Sequence, residues 1–186
     1  QVAGAKAAAG ADLQRDGLSD LVILRKDALV IAAGSPAGYR EALRLSAGAG
    51  AGGLVIGDFS NDGRMDAALL IPDAIRFVWN IDLHAEAKAA ITQDVKLGSS
   101  KPSHARITDY NNDGLLDLFV VFADGKASLL RNQGNRDFIE QPLGSWPKPA
   151  PAARVITGDF DKNGKEDLAY IAADGKVVLA QNSTEG

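Results

Sequence analysis

Cysteine is absent from this sequence, so disulfides contribute nothing to its stability, and the compartment stays open because cysteine-free chains occur in every redox environment. Histidine is nearly absent: His84 and His104 stand 20 residues apart, and lone histidines are more often structural than catalytic. No apolar run approaches the roughly 18 residues of a membrane-spanning helix. Positive charge is not in excess, with 20 Lys and Arg against 24 Asp and Glu, a net charge of −4 and a pI near 5.1. A sequence-independent nucleic-acid binder needs a basic face, so that class is excluded. The nucleophile elbow Gly-x-Ser-x-Gly is missing, as are the phosphate loop and the dinucleotide fingerprint. These absences leave no catalytic constellation, and no enzymatic activity is expected.

What the chain does contain is one nine-residue pattern, four times. The clearest copy runs Asp109, Tyr110, Asn111, Asn112, Asp113, Gly114, Leu115, Leu116, Asp117. It places side-chain oxygens at its first, third, fifth and ninth positions, and the carbonyl of the seventh, Leu115, is a further donor. Alternating oxygens in a tight loop suit a hard cation such as Ca²⁺, which takes six to eight of them. Gly114 permits the sharp turn, since glycine enters the left-handed region without steric cost.

The same spacing gives Asp12, Gln14, Asp16, Leu18 and Asp20 in the first loop. It gives Asp58, Ser60, Asp62, Arg64 and Asp66 in the second, and Asp159, Asp161, Asn163, Lys165 and Asp167 in the fourth. The expected calcium ligands are these residues with Asp109, Asn111, Asp113, Leu115 and Asp117. Gln14 is excepted, because Gln14 and Arg15 make the first loop the poorest site. The opening aspartates lie 46, 51 and 50 residues apart, a period that signals repeat architecture. Seven residues after each closing aspartate stands another: Asp27, Asp73, Asp124 and Asp174.

Apolar runs flank each loop and return across a polar turn, as in residues 21–24 and 28–31, or 118–122 and 127–130. These read as β-hairpins. Asp124-Gly125 and Asp174-Gly175 predict type I′ turns, whereas Ala28 and Ala74 call for another type in the first two units. Residues 40–46 fit a short helix by pattern, but their position in the repeat favours an outer strand. Residues 82–98 stay open between a helix, from their Ala, Glu and Lys content, and an outer strand through Ile91 and Val95. The expected fold is therefore all-β, a series of four-stranded antiparallel propeller blades. Four units fall near 1–50, 51–100, 101–150 and 151–186 within one segment, the last incomplete. Continuous apolar runs predict strands buried on both faces, with Val120 and Ile171 in the core.

The runs Gly57-Asp58-Phe59-Ser60-Asn61-Asp62-Gly63 and Gly158-Asp159-Phe160-Asp161-Lys162-Asn163-Gly164 resemble the FG-GAP/VCBS repeat family, which includes the calcium-binding blades of integrin α subunits. The resemblance implies a β-propeller with Ca²⁺ in loops between the first and second strands of each blade. It implies no single activity. An EF-hand needs an acidic residue at position twelve, where this chain has Ile23, Leu69, Val120 and Tyr170. The kelch and WD signatures are missing too. For any one loop, a turn rich in Asp, Asn and Gly without metal is the plainer alternative.

The expected function is a calcium-binding propeller module that binds a protein or carbohydrate ligand. The alternatives are an accessory carbohydrate-binding domain of a secreted enzyme and, less favoured, an enzyme. Weak calcium sites fill outside the cell, not in resting cytosol, which points to a secreted, periplasmic or cell-surface location. The opening Gln1 fits a processed or excised segment. Trp79 and Trp146 are expected to pack, and the end blades to self-associate.

Overall fold

The computed structural model describes residues 4–83, 91–98, 100–145 and 155–182. The expectations for His84, Trp146 and the chain end at 183–186 lie outside the described residues. Every regular element described is a β-strand, and no helix among the described residues is long and apolar enough to cross a membrane.

The strands form four antiparallel sheets, each a meander in chain order. The first blade is β1 (Ala7–Ala11), β2 (Asp20–Leu24), β3 (Ala28–Ser35) and β4 (Gly38–Ser46). The second is β5 (Gly53–Gly57), β6 (Asp66–Ile71), β7 (Ala74–Trp79) and β8 (Ile91–Lys96). The third is β9 (Pro102–Thr108), β10 (Asp117–Phe122), β11 (Lys126–Asn132) and β12 (Phe138–Ser145). The fourth shows β13 (Ile156–Gly158), β14 (Asp167–Ile171) and β15 (Val177–Ala180). Both segments of weak pattern, residues 40–46 and 91–96, are outer strands. The chain divides into two compact units, Gln1–Leu97 and Gly98–Gly186, with two blades in each.

Burial follows from the apolar runs. β6 and β10 are buried at every residue, as expected of sheets covered on both faces. In the first unit, Val22, Leu24, Leu29 and Ile31 of one blade pack with Ala67, Leu69, Ile71 and Val78 of the next. In the second, Phe119 and Val121 pack with Leu168, Tyr170 and Ala172. Trp79 is buried, its ring stacked on Phe77 at 4.8 Å with the planes 5° apart.

Two expectations are corrected. Ile171 is 52% exposed, while Val120 is fully buried. The alternation of β14 explains the difference: Leu168 and Tyr170 face the third blade, so Ile171 points to the other side. There it pairs with Val177, and Ala169 pairs with Leu179 and Ile156, giving an exposed apolar face. The second correction concerns the turns. Gly125 and Gly175 have φ near 88° and 84°, but Asp124 and Asp174 do not have positive φ. Gly125 N–H donates to the Phe122 carbonyl at 3.0 Å and Gly175 N–H to that of Ala172 at 2.9 Å. Each is a three-residue loop closed by a left-handed glycine, not a two-residue type I′ turn.

Candidate metal centre

All four nine-residue patterns fall where the first strand of a blade crosses to the second: β1–β2, β5–β6, β9–β10 and β13–β14. The fourth and sixth positions are left-handed in every loop. Arg15, Asn61, Asn112 and Lys162 have φ of 57°, 54°, 56° and 61°, and Gly17, Gly63, Gly114 and Gly164 have φ of 83°, 84°, 81° and 83°. Alanine at the sixth position would be strained in each loop.

The first aspartate organises each loop by accepting two backbone N–H groups. Asp109 takes those of Asp113 and Gly114, both at 3.0 Å. Asp12, Asp58 and Asp159 do the same at the equivalent places. The fifth residue accepts the N–H two positions on: Asp16 from Leu18, Asp62 from Arg64, Asp113 from Leu115 and Asn163 from Lys165.

The ninth residues are buried anchors. Asp20, Asp66, Asp117 and Asp167 are each 0% exposed. One oxygen accepts an N–H from the loop, from Leu13, Ser60, Tyr110 and Phe160 respectively. The other accepts an N–H at the end of the third strand, from Gly34, Asn80, Asn132 and Asn182. These last partners were not expected from the sequence. A signal was there: asparagine recurs 14 or 15 residues after three of the closing aspartates.

The electrostatics differ between loops. Burial pushes the Asp66 and Asp117 carboxyls above the ordinary value, against the pull of their N–H donors. Negative charge on Asp113 and Asp109 raises Asp117 further. For Asp62, burial acts upward, but hydrogen bonds from Asn80, the Arg64 N–H and Ser60 outweigh it and bring the carboxyl down.

Only the fourth loop, among the described residues, gathers three carboxylates at one point. Asp159, Asp161 and Asp167 each bring an oxygen within 4.8 Å of the others, and this group can hold a metal ion. Two oxygens on one Ca²⁺ at about 2.4 Å are at most about 4.8 Å apart, so the spacing fits. The donors are positions one, three and nine. Position three is Gln14, Ser60 and Asn111 in the other loops, so there the third carboxylate, at position five, does not join the cluster. Gln14 donates its amide to Asp20 at 3.2 Å, and Asn111 donates to Asp113 at 2.8 Å. Within the second unit the loops are joined: Asn112 donates to the Gly164 carbonyl at 2.8 Å, and Asn182 to that of Tyr110 at 3.1 Å. His104 is half-buried beside Ser103, with Nδ1 and Oγ 3.1 Å apart. Burial lowers its pKa.

Four antiparallel sheets with acidic loops between their first two strands define the class: β-propeller blades. Residues 109–170 match the model of the FG-GAP-like repeat, so the family resemblance is borne out over the segment from the third loop into β14. No curated protein sequence matches the chain. Among solved structures, BBS1N in complex with ARL6DN is similar with a TM-score of 0.68 at 16% identity, covering 98% of this chain and 53% of that one. An Agrocybe aegerita lectin specific for non-reducing terminal N-acetylglucosamine gives 0.69 at 14%, covering 100% and 51%. The Photorhabdus luminescens Tc holotoxin pore gives 0.62 at 16%, covering 95% and 9%. The chain thus spans about half the length of the first two.

Proposed function

We propose that the chain is a calcium-stabilised β-propeller module that binds a partner and performs no catalysis. The observation that carries this reading is the convergence of Asp159, Asp161 and Asp167. Three carboxylates at this spacing repel one another, and a hard dication bound by oxygen relieves that repulsion. Asn163 and the Lys165 carbonyl complete the donor set of the fourth loop. The other three loops are secondary sites, each with three carboxylates that N–H groups already hold. Weak sites of this kind fill at extracellular calcium, which supports a secreted, periplasmic or cell-surface working environment.

Thermal denaturation with calcium and with excess chelator tests the reading. At free calcium about tenfold above Kd, one site adds roughly 1.4 kcal/mol, so the melting temperature should rise with calcium and fall with chelator. An identical melt in both would sink structural calcium. The ligand is a protein or a carbohydrate. The carbohydrate reading is favoured by the likeness to a lectin, and a glycan array with the whole chain separates the two. The exposed apolar face of Ile156, Ile171, Val177 and Leu179 supports self-association through the fourth blade. Sedimentation should detect it, and Val177→Lys should abolish it; a clean monomer at high concentration counts against it.

A further inference from the structure

The fourth position of each loop has a left-handed backbone. Asparagine tolerates that conformation, whereas arginine is uncommon there. In the second unit the fourth-position side chain has a visible task, since Asn112 bonds to the Gly164 carbonyl of the next loop. In the first unit Arg15 reaches the equivalent glycine of its neighbour: Arg15 Nη2 lies 3.1 Å from where a Cβ on Gly63 would stand. Among the described residues no ion pair engages Arg15.

Between these two loops lies a cavity of about 220 Å³, lined by Arg15, Arg64, Asp12 and Asp82 together with the apolar Leu13, Met65 and Ile81. It holds about seven waters at their bulk volume, room for one small group rather than a drug-sized ligand. Arg64 meets Asp82 only at 3.8 Å, with the arginine side chain 58% exposed, a loose pair that an incoming anion can share. Both oxygens of Asp12 are turned into the loop, accepting the Asp16 and Gly17 N–H groups. Arg15 and Arg64 therefore line a small crevice, where Asp12 is held by its own loop and Asp82 only loosely by Arg64, beside an apolar wall from Leu13, Met65 and Ile81.

We propose that the crevice between the first and second loops binds a small carboxylate-bearing group, anchored by Arg15 and Arg64. A guanidinium matches a carboxylate through paired N–H donors, and the apolar wall accepts the ring or methyl body attached to it. Two sources supply this chemistry: an acidic sugar and the C-terminus of a peptide. Asp12 and Arg64 also belong to the secondary calcium sites of the first and second loops, so the titration is run in calcium-free buffer, where its outcome stands apart from the chelator experiment.

The test is an amide NMR titration of the whole chain with galacturonate, with N-acetylalanine and with neutral galactose. The expected result is saturable shifts at Arg15, Gly63 and Arg64 with a carboxylate, weakened by salt, and none with galactose. Tighter binding of galacturonate assigns the sugar source, and tighter binding of N-acetylalanine assigns the peptide source. Arg15→Gln should weaken binding by about tenfold, the loss of a charge-assisted pair. Arg64→Gln is a second variant with a smaller expected loss. Equal binding of galactose, no saturable shift with either carboxylate, or unchanged affinity in both variants overturns the proposal.

Discussion

At the scale of single residues, the closing aspartates do two things at once. Asp117 is a loop oxygen, and it also accepts the Tyr110 and Asn132 N–H groups. Asp117→Ala takes the acceptor from one buried and one half-buried N–H, at about 1–3 kcal/mol for a fully buried group, so urea denaturation should show a loss of about 2–4 kcal/mol. Asp113→Ala, at an exposed position, should cost far less in calcium-free buffer. The sequence revealed the aspartates through their spacing, but not their strand-end partners, because backbone N–H groups carry no residue signature. By ligand count the third and fourth loops are alike, with three carboxylates and an amide each, and a count cannot tell that position three joins positions one and nine while position five does not. Away from the loops, Asp94 accepts two bonds from Arg76 at 2.7 Å, and this pairing holds its carboxyl below the ordinary value. A depressed folded pKa gives stability that is present above the unfolded value, near 3.9, and lost as pH falls through the folded one. Asp94→Asn should therefore cost about 0.5 kcal/mol at pH 7, a partly screened pair, and the difference should vanish in acid.

At the scale of strands and turns, the apolar runs disclosed where the strands are and how they pair in sequence order. They did not disclose which faces are covered, because a run of apolar residues reads the same whether one neighbour or two press on the sheet. Val120 in β10 and Ile171 in β14 test that distinction. Val120→Ala should cost about 2 kcal/mol, while Ile171→Ala should stay within about 0.5 kcal/mol, both read from denaturation midpoints. The turns illustrate a second limit. Asp-Gly marks a reversal, but its type depends on loop length, which is fixed by the pairing of Ile171 with Val177. Gly175 has φ near 84° with nothing within 4 Å of a Cβ, so Gly175→Ala isolates backbone strain. A loss of about 1–2 kcal/mol is expected.

At the scale of the molecule, two compact units of two blades each carry loops of one geometry but unequal chemistry. The period of the aspartates made the blade series legible, since a single repeating unit imposes one strand order throughout. The inequality among the loops was less legible, because it rests on which side chains converge in space. Calcium held by the fourth loop is the central claim, and a calorimetric titration of the metal-free chain tests it most directly. The account predicts at least one saturable site, with Kd of about 10⁻⁴ to 10⁻³ M as in extracellular modules. That site should be lost in Asp161→Ala and retained in Gln14→Ala. A chain that takes up no calcium, or one whose calcium binding is unchanged by Asp161→Ala, would contradict it.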